Sequence, residues 1–219
     1  MSTQQSIRNA LLSERRTREE WRLNGLRLQL VSRFVFPRLG YRVLKGEEES
    51  WASIKKNPAL LPKQGGLTPY LRDYADYIVV GKQHGVLIVD VKAPVSSRVK
   101  PWRGPFHRCR VTFSEREWKE YTTSEVPVML LLWDYNSAKR LDEQDQPVFY
   151  ALVKFKSLPP ARKLTGQFEV RIDPWNLQPR RLSPPVFKKL VARCRAMEVE
   201  EIKPGCITCC ARPNAGRSR

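Results

Sequence analysis

The sequence predicts an α/β fold, with a mixed central sheet flanked by helices and a basic C-terminal extension. Two apolar patterns indicate this class. Near the amino end, apolar residues recur at helical spacing, as on one face of a helix. Further along, short runs of branched apolar residues are separated by turn residues, and a helical segment lies between two of these predicted strands. A chain of 219 residues, 41% of them hydrophobic, is large enough for one main core.

The first predicted element is a helix over residues 14–36, which ends at Pro37 and Gly40. A strand follows at 41–44. A polar connection that contains Pro and Gly then covers 45–69, and long connections in compact domains are often functional. The apolar face of the helix is predicted to carry Leu23, Leu26, Leu30 and Phe34.

Two strands at 77–80 and 86–91 are predicted to form an antiparallel hairpin, because glycines flank the short polar segment between them. A capping box that begins at Ser114 predicts a short helix over 115–122. A continuous apolar run then predicts a buried strand over 127–133.

The carboxyl-terminal third is predicted to contain strands at 146–155 and 168–172, and a basic helix from Ser183 to about residue 197. The predicted domain organisation is a core over 1–155, a basic strand and helix extension packed on the core over 156–203, and a flexible tail over 204–219.

The charge of the chain indicates its partner. The 40 Lys and Arg against 22 Asp and Glu give a formal net charge of +18. A surface of this kind is typical of proteins that bind phosphate backbones. We therefore expect a nucleic acid, with DNA as the first candidate. A homodimer or a larger complex is compatible with the sequence, which does not identify an interface.

Membrane insertion and secretion are not expected. The longest purely apolar run, 126–133, is far shorter than the roughly 20 residues that span a bilayer. Residues 1–9 lack the apolar stretch of a secretory signal. We therefore predict an intracellular protein, in the cytoplasm or with the nucleic acid of a nucleoid or organelle.

Cysteines cluster toward the carboxyl end, but their spacing contains only one C-x2-C pair. We therefore interpret them as reduced thiols and expect neither zinc nor an iron–sulfur cluster there, although thiolate ligation of such a metal stays the alternative. The residues concerned are Cys194, Cys206, Cys209 and Cys210.

Three charged residues flank the predicted hairpin, which otherwise has the composition of a buried element. Asp90 and Lys92 alternate with apolar residues and so project from the same face of the sheet, and Asp76 at the start of the partner strand can reach them. Two carboxylates are suitable ligands for Mg²⁺ or Mn²⁺. A lysine beside them can orient or help deprotonate an attacking water and stabilise the charge of a phosphorane. The set predicts phosphodiester hydrolysis.

The pattern Asp76, spacer, Asp90-Val91-Lys92 resembles the motif of the PD-(D/E)xK nuclease superfamily, which has the restriction-endonuclease-like fold. Ala75 stands where the family often has proline. The predicted element order matches the αβββαβ core of that family. The resemblance implies a Mg²⁺-dependent DNA endonuclease, with Mn²⁺ able to substitute, of the homing, restriction, transposition or junction-resolving type. It assigns Asp76, Asp90 and Val91 to the metal and Asp76, Asp90 and Lys92 to catalysis.

The position of the triplet, rather than the triplet itself, carries the assignment. Acid-x-Lys triplets also begin at Glu117 and Glu201, but neither lies in a predicted buried strand after an Asp-bearing strand. The structural alternative is an ion pair of Asp90 with Lys92 or Arg72 that only closes the sheet.

Further site residues are predicted in the first helix and after the lysine strand. Many members of the family add a glutamate from the first helix, and Glu19 and Glu20 are the candidates here, with Glu19 favoured because it aligns with the predicted apolar face. Glu115 and Glu117 in the next helix could orient the lysine or bind metal, with ordinary helix capping as the alternative. A basic loop over 94–110 is predicted to bind the substrate, and a solvated connection is the alternative. Its candidate contact residues are Arg98, Lys100, Trp102, Arg103, Arg108 and Arg110.

Two other functions stay open at this level. One is a nucleic-acid-binding protein that keeps the nuclease fold without hydrolysing its ligand. The other is an RNA-associated basic protein, which the charge alone supports.

Overall fold

The computed structural model describes residues 23–45, 75–82, 84–93, 104–107, 109–136 and 139–201, with side chains to residue 196. Its main feature is a six-stranded sheet. In spatial order its strands are β1 (Tyr41–Lys45), β2 (Tyr77–Gly81), β3 (Gly85–Lys92), β5 (Val128–Asp134), β6 (Val148–Lys154) and β9 (Arg180–Leu182).

The central sheet is mixed. β3 and β5 run parallel, with pairing from Ile88 opposite Val128 to Lys92 opposite Leu132, and the other neighbours are antiparallel. A parallel pair needs a crossover connection, and here the crossover contains helix α2 (Glu115–Thr123). The α/β class with a mixed central sheet is therefore confirmed.

A second, three-stranded antiparallel sheet lies beside the crossover. Its strands are β4 (Arg110–Ser114), β8 (Gln167–Arg171) and β7 (Arg162–Leu164), in the order β4-β8-β7. β4 alternates exposed and buried residues, because one face of this sheet packs inward and the other meets solvent.

Two apolar clusters cover the opposite faces of the central sheet. The helix-side cluster joins the sheet to helix α1, described over residues 23–32, and to helix α3 (Pro184–Glu201). The second-sheet cluster joins it to α2 and the three-stranded sheet. The helix-side cluster includes Leu28, Val31, Val89, Leu131, Trp133 and Phe187, and the second-sheet cluster includes Ile88, Phe113, Tyr121, Leu130, Leu132 and Val170.

The predicted apolar face of the first helix is correct only in part, since Leu30 and Phe34 pack against the helix-side cluster as partly buried residues. Leu23 and Leu26 are 37% and 39% exposed, whereas Leu28, Val31 and Val35 have no exposed surface. The apolar residues cover too much of the helix circumference for spacing alone to select the buried stripe. The helix also ends at residue 32, earlier than predicted, and a turn and a 3-10 helix (Phe36–Leu39) lead into β1.

The other predicted helices and strands in the described residues are present, with small shifts at their ends. The structure adds three strands that the sequence did not predict, β4, β7 and β9, each of only three to five residues. Within the described residues, no helix has the length and apolarity needed to cross a membrane. The predicted connection over 45–69, apart from Lys45, and the predicted tail lie outside the described residues.

Candidate active site

Asp76 lies immediately before β2, at the point where that strand meets β3. The register that pairs Tyr77 with Val89 places Asp76 across from Asp90. The backbone N–H of Val91 donates to Asp76 Oδ2 at 2.6 Å, and Gln29 Nε2 of α1 donates to Oδ1 at 3.0 Å. The carboxylate is therefore held between a central strand and the first helix.

Asp90 and Lys92 project together from the face of β3 that meets α2. Lys92 Nζ lies 2.9 Å from Asp90 Oδ2. The hydroxyl of Tyr121 donates to the same oxygen at 2.9 Å. Asp90 is only 6% exposed, so these contacts compensate a buried charge. No contact within the described part of the chain uses Asp90 Oδ1.

Glu117 completes the cluster and comes from the first turn of α2. Its Oε1 accepts from Lys92 Nζ at 2.9 Å. Its Oε2 accepts from the backbone N–H of Ser114 at 2.6 Å, while Ser114 Oγ accepts from the N–H of Glu117 at 3.1 Å. The predicted capping box is thus present. One carboxylate both starts the helix and binds the lysine.

The electrostatics of the cluster keep Lys92 charged. Burial by itself lowers the pKa of Lys92, but the attraction of Asp90 and then of Glu117 outweighs it and raises that pKa above its ordinary value. Burial by itself raises the pKa of Glu117. The charge of Lys92 and the hydrogen bonds with Ser114 lower that pKa by more than burial raises it, so the net shift is downward. Burial, followed by the charge of Asp90, raises the pKa of Tyr121. The tyrosine therefore stays a hydrogen-bond donor.

The donor chemistry of the cluster fits a hard cation. Asp76 and Asp90 supply carboxylate oxygens, and Mg²⁺ in proteins is often held by one or two carboxylates with several waters. Val91 can contribute only its main chain, because its side chain, which packs in the helix-side cluster, has no donor atom. In the described ranges, no group of three or more His, Cys, Asp or Glu side chains could hold a metal ion.

The structure describes only part of the predicted substrate loop. Arg98, Lys100, Trp102, Arg103 and Arg108 lie outside the described residues. Arg110 is not in a loop, since it begins strand β4. Its side chain is 62% exposed and its Nη1 lies 3.5 Å from Glu169 Oε1. The inward-facing Val111 and Phe113 explain this difference, because they alternate with polar residues as expected of a half-buried strand.

The glutamates predicted in the first helix also lie outside the described residues. The preference for Glu19 over Glu20 depended on alignment with Leu23, Leu26, Leu30 and Phe34, of which the first two are exposed and the last two pack partly against the helix-side cluster. That preference stays a prediction. Among the described residues, the helix supplies Gln29 to the site.

Gln29 and Tyr121 were not among the predicted site residues, whereas Glu117 was considered as a residue that could orient the lysine. Tyr121 lies one helical turn beyond Glu117, so a search along that face of α2 could have found it. No local pattern indicated Gln29, because a glutamine in an amphipathic helix is typical of a position on the solvent-facing side. Glu115, by contrast, turns away and lies 3.5 Å from Lys163.

The described cysteines form no disulfide. Cys109 and Cys194 are both buried. The remaining members of the carboxyl-terminal group, Cys206, Cys209 and Cys210, lie outside the described residues.

Comparisons with models of protein families, with curated proteins and with solved structures give no match to this chain.

Proposed function

We propose that this protein is a metal-dependent DNA endonuclease of the PD-(D/E)xK type, which hydrolyses phosphodiester bonds. The observation that supports it most is the convergence of Asp76, Asp90 and Lys92 at one end of the β2–β3 hairpin. A net charge of +18 provides the attraction to a polyanion. The element order of a helix, three antiparallel strands, a crossover helix and a parallel strand agrees with the core that this superfamily uses.

In this proposal each residue has a separate role. Asp76 and Asp90 would hold Mg²⁺, which when bound would supply Lewis-acid chemistry to the phosphate and to the attacking water. Asp90 Oδ1 is the oxygen that the described contacts leave open for this purpose. Lys92, 21% exposed at its side chain, presents a fixed positive charge that orients the attacking water and stabilises charge on the phosphorane.

Glu117 and Tyr121 act as positioning residues. Glu117 and Asp90 both contact Lys92 Nζ at 2.9 Å, which limits the places that the ammonium can occupy. Tyr121 donates to Asp90 and so fixes the rotamer of that carboxylate. Gln29 does the same for Asp76. Such supporting contacts are what hold a catalytic group within the narrow geometry that hydrolysis requires.

A second candidate is a nucleic-acid-binding protein that keeps the fold but does not cleave. One observation favours it: Lys92 already pairs with both Asp90 and Glu117, so each of these carboxylates has a cationic partner without a metal. The same contacts are those expected of an ion pair that only closes the sheet. Cleavage, not binding, separates the two candidates.

The deciding experiment is incubation of the purified protein with supercoiled and linear DNA in Mg²⁺, Mn²⁺ or EDTA, followed by gel electrophoresis. Lys92→Ala and Asp90→Asn are compared with Lys154→Ala, which removes an exposed lysine at the end of another central strand. We expect cleavage by the wild type and by Lys154→Ala with metal only, and none by the two site variants. Circular dichroism shows whether each variant is folded.

Two results would replace the proposal. If the folded wild type shifts DNA on a gel but never cleaves it with either metal, the protein is a binding protein. If Lys92→Ala and Asp90→Asn cleave as well as the wild type, the hydrolytic site lies elsewhere. A clean double-strand cut in linear DNA would in addition indicate that two copies act together.

A further inference from the structure

A separate cleft lies at the far end of the second sheet from the Asp90 and Lys92 cluster. It has a volume of about 730 Å³ and is formed by the turn at 104–107 and the proline-rich segment at 171–179. β4 runs from this cleft to Ser114, which contacts Glu117, so about 13 Å of strand separates the two. Its lining includes Pro105, His107, Pro159, Arg171, Pro174 and Trp175.

Trp175 is presented to solvent in a fixed turn. It is 92% exposed, while the other exposed large hydrophobic residues in the described part of the chain are below 40%. Asp173 Oδ1 accepts from the backbone N–H of Trp175 at 3.0 Å, and Pro174 begins the 3-10 turn. No aromatic ring of the described residues packs against this indole. The turn thus presents the face of the indole to solvent, which is the arrangement that a stacking ligand needs.

Positive charge flanks the tryptophan. The register of β4 with β8 places Arg110 directly opposite Arg171, and both side chains are exposed. Like charges in opposed positions destabilise a sheet. Glu169 lies 3.5 Å from Arg110, but Arg171 has no ion-pair partner within the described residues. The one carboxylate of the cleft, Asp173, already accepts from Trp175 and, at 3.5 Å, from Asn176. The arginine pair is therefore suited to an anion.

We propose that this cleft binds an unpaired nucleotide of single-stranded DNA, with the base on Trp175 and the phosphates on Arg171 and Arg110. Aromatic platforms beside cations are the usual means of binding single strands. The volume is within the range of sites for small ligands. A base inside a duplex does not offer its face to such a platform unless it is flipped out. The inference rests on the nucleic-acid partner of the proposed function, but it does not depend on cleavage.

The test is the affinity of the full chain for a fluorescent oligothymidine in EDTA, measured by anisotropy at several salt concentrations. Trp175→Ala is expected to weaken binding about tenfold, and Trp175→Phe much less, because a phenyl ring still stacks. Arg171→Ala is expected to reduce the slope of log K against log salt by about 0.7. The control, Lys189→Ala, removes an exposed cation from α3, on the opposite side of the central sheet. It is expected to retain the single-strand affinity within about twofold and to leave the salt slope unchanged.

The intrinsic fluorescence of Trp175 gives a second readout. The emission of Trp175 is obtained by subtracting the fluorescence of Trp175→Phe from that of the wild type. We expect acrylamide to quench this emission in the free protein, and we expect bound oligothymidine to protect it from acrylamide. The proposal fails if Trp175 is already shielded in the free protein, if Trp175→Ala binds as tightly as wild type, or if it loses duplex and single-strand affinity equally. Because these assays contain EDTA, absence of nuclease activity in the gel assay would leave their outcome unchanged.

Discussion

Lys92 and Glu117, 25 residues apart in the chain, join β3 to α2 through a contact of 2.9 Å between Nζ and Oε1. The same glutamate forms the capping box of the helix, so the start of α2 and the position of the lysine are set by one side chain. A change at Glu117 therefore affects folding and the candidate site together. Its neighbour Glu115 lies in the same turn without contacting Lys92, and this makes a matched pair of variants available.

Glu117→Ala is expected to lower the free energy of unfolding by about 1–2 kcal/mol, because it removes a cap and one partner of a partly buried lysine. Glu115→Ala, at a position 53% exposed, is expected to change it by less than about 0.5 kcal/mol. Denaturation in urea measures both. Equal losses in the two variants would show that Glu117 contributes only a charge near the helix start.

Gln29→Glu tests the metal assignment without measuring cleavage. The new carboxylate would face Asp76 at the site of a 3.0 Å hydrogen bond, so in EDTA we expect a lower melting temperature than that of the wild type. Mg²⁺ or Mn²⁺ bound between the carboxylates would offset the repulsion, and the metal-dependent rise in melting temperature should exceed that of the wild type.

A suitable control for this experiment is Gln29→Leu, which also removes the hydrogen bond but adds no charge. It should be less stable than the wild type, and its melting temperature should rise with metal no more than that of the wild type does. If Gln29→Glu responds to Mg²⁺ no more than Gln29→Leu does, the two aspartates do not hold a cation in the way proposed.

Cys109 is expected to resist alkylation in the folded protein. It has no exposed surface, and burial, followed by the charge of Asp134, raises the pKa of its thiol to about 12. At pH 8 the reactive thiolate is therefore scarce. Peptide mass spectrometry after iodoacetamide treatment should find Cys109 unmodified under native conditions and modified in denaturant. Rapid native labelling would show that the turn at 104–107 opens readily.

The pair of Asp142 and Arg195 provides a pH-dependent link between α3 and the 3-10 turn (Leu141–Glu143) after β5. Arg195 Nη1 lies 2.9 Å from Asp142 Oδ2. Burial alone would raise the pKa of Asp142, but the hydrogen bond from Arg195 outweighs it and holds that pKa below its usual value. The stabilisation is therefore present above the ordinary pKa of aspartate and is lost as pH falls through the lower folded value.

Asp142→Asn is accordingly expected to be less stable than wild type by up to about 1 kcal/mol at pH 7, since both side chains are about a third exposed. The difference should shrink below about pH 4. Urea titrations at pH 7 and at pH 3 compare the two proteins. A constant difference at both values would mean that the hydrogen-bonding shape of the side chain, not its charge, stabilises the contact.

Much of the fold could be predicted because its central strands have distinctive sequences. The seven residues of β5 are all buried, so an uninterrupted apolar run identified the strand. The hairpin was evident from its glycines, and Gly85 indeed has a positive φ of 64°. β7 and β9 were missed because each has only three residues, two of them basic. β4 has five residues, and both β4 and β9 pair with strands that are distant in the chain.

The candidate site was predictable only where a motif fixed its spacing. Asp90 and Lys92 share a face because they are two apart in a strand. The contact of Asp76 with Val91 follows from the hairpin register, which the turn determines. Contacts from other elements carry no such local pattern. Gln29 reaches Asp76 only because α1 packs on the sheet through Leu28 and Val31, and that choice of face could not be made from spacing.

The central position of β5 has a consequence for motion in the native state. β5 pairs with β3 on one side and β6 on the other, and its successive residues alternate between the two apolar clusters. Neither cluster can open without disturbing this strand. Amide protons of β5 should therefore exchange with deuterium only through unfolding of the whole domain, whereas those of the short edge strand β7 exchange through local opening. Deuterium uptake at β5 thus reports the global stability of the domain.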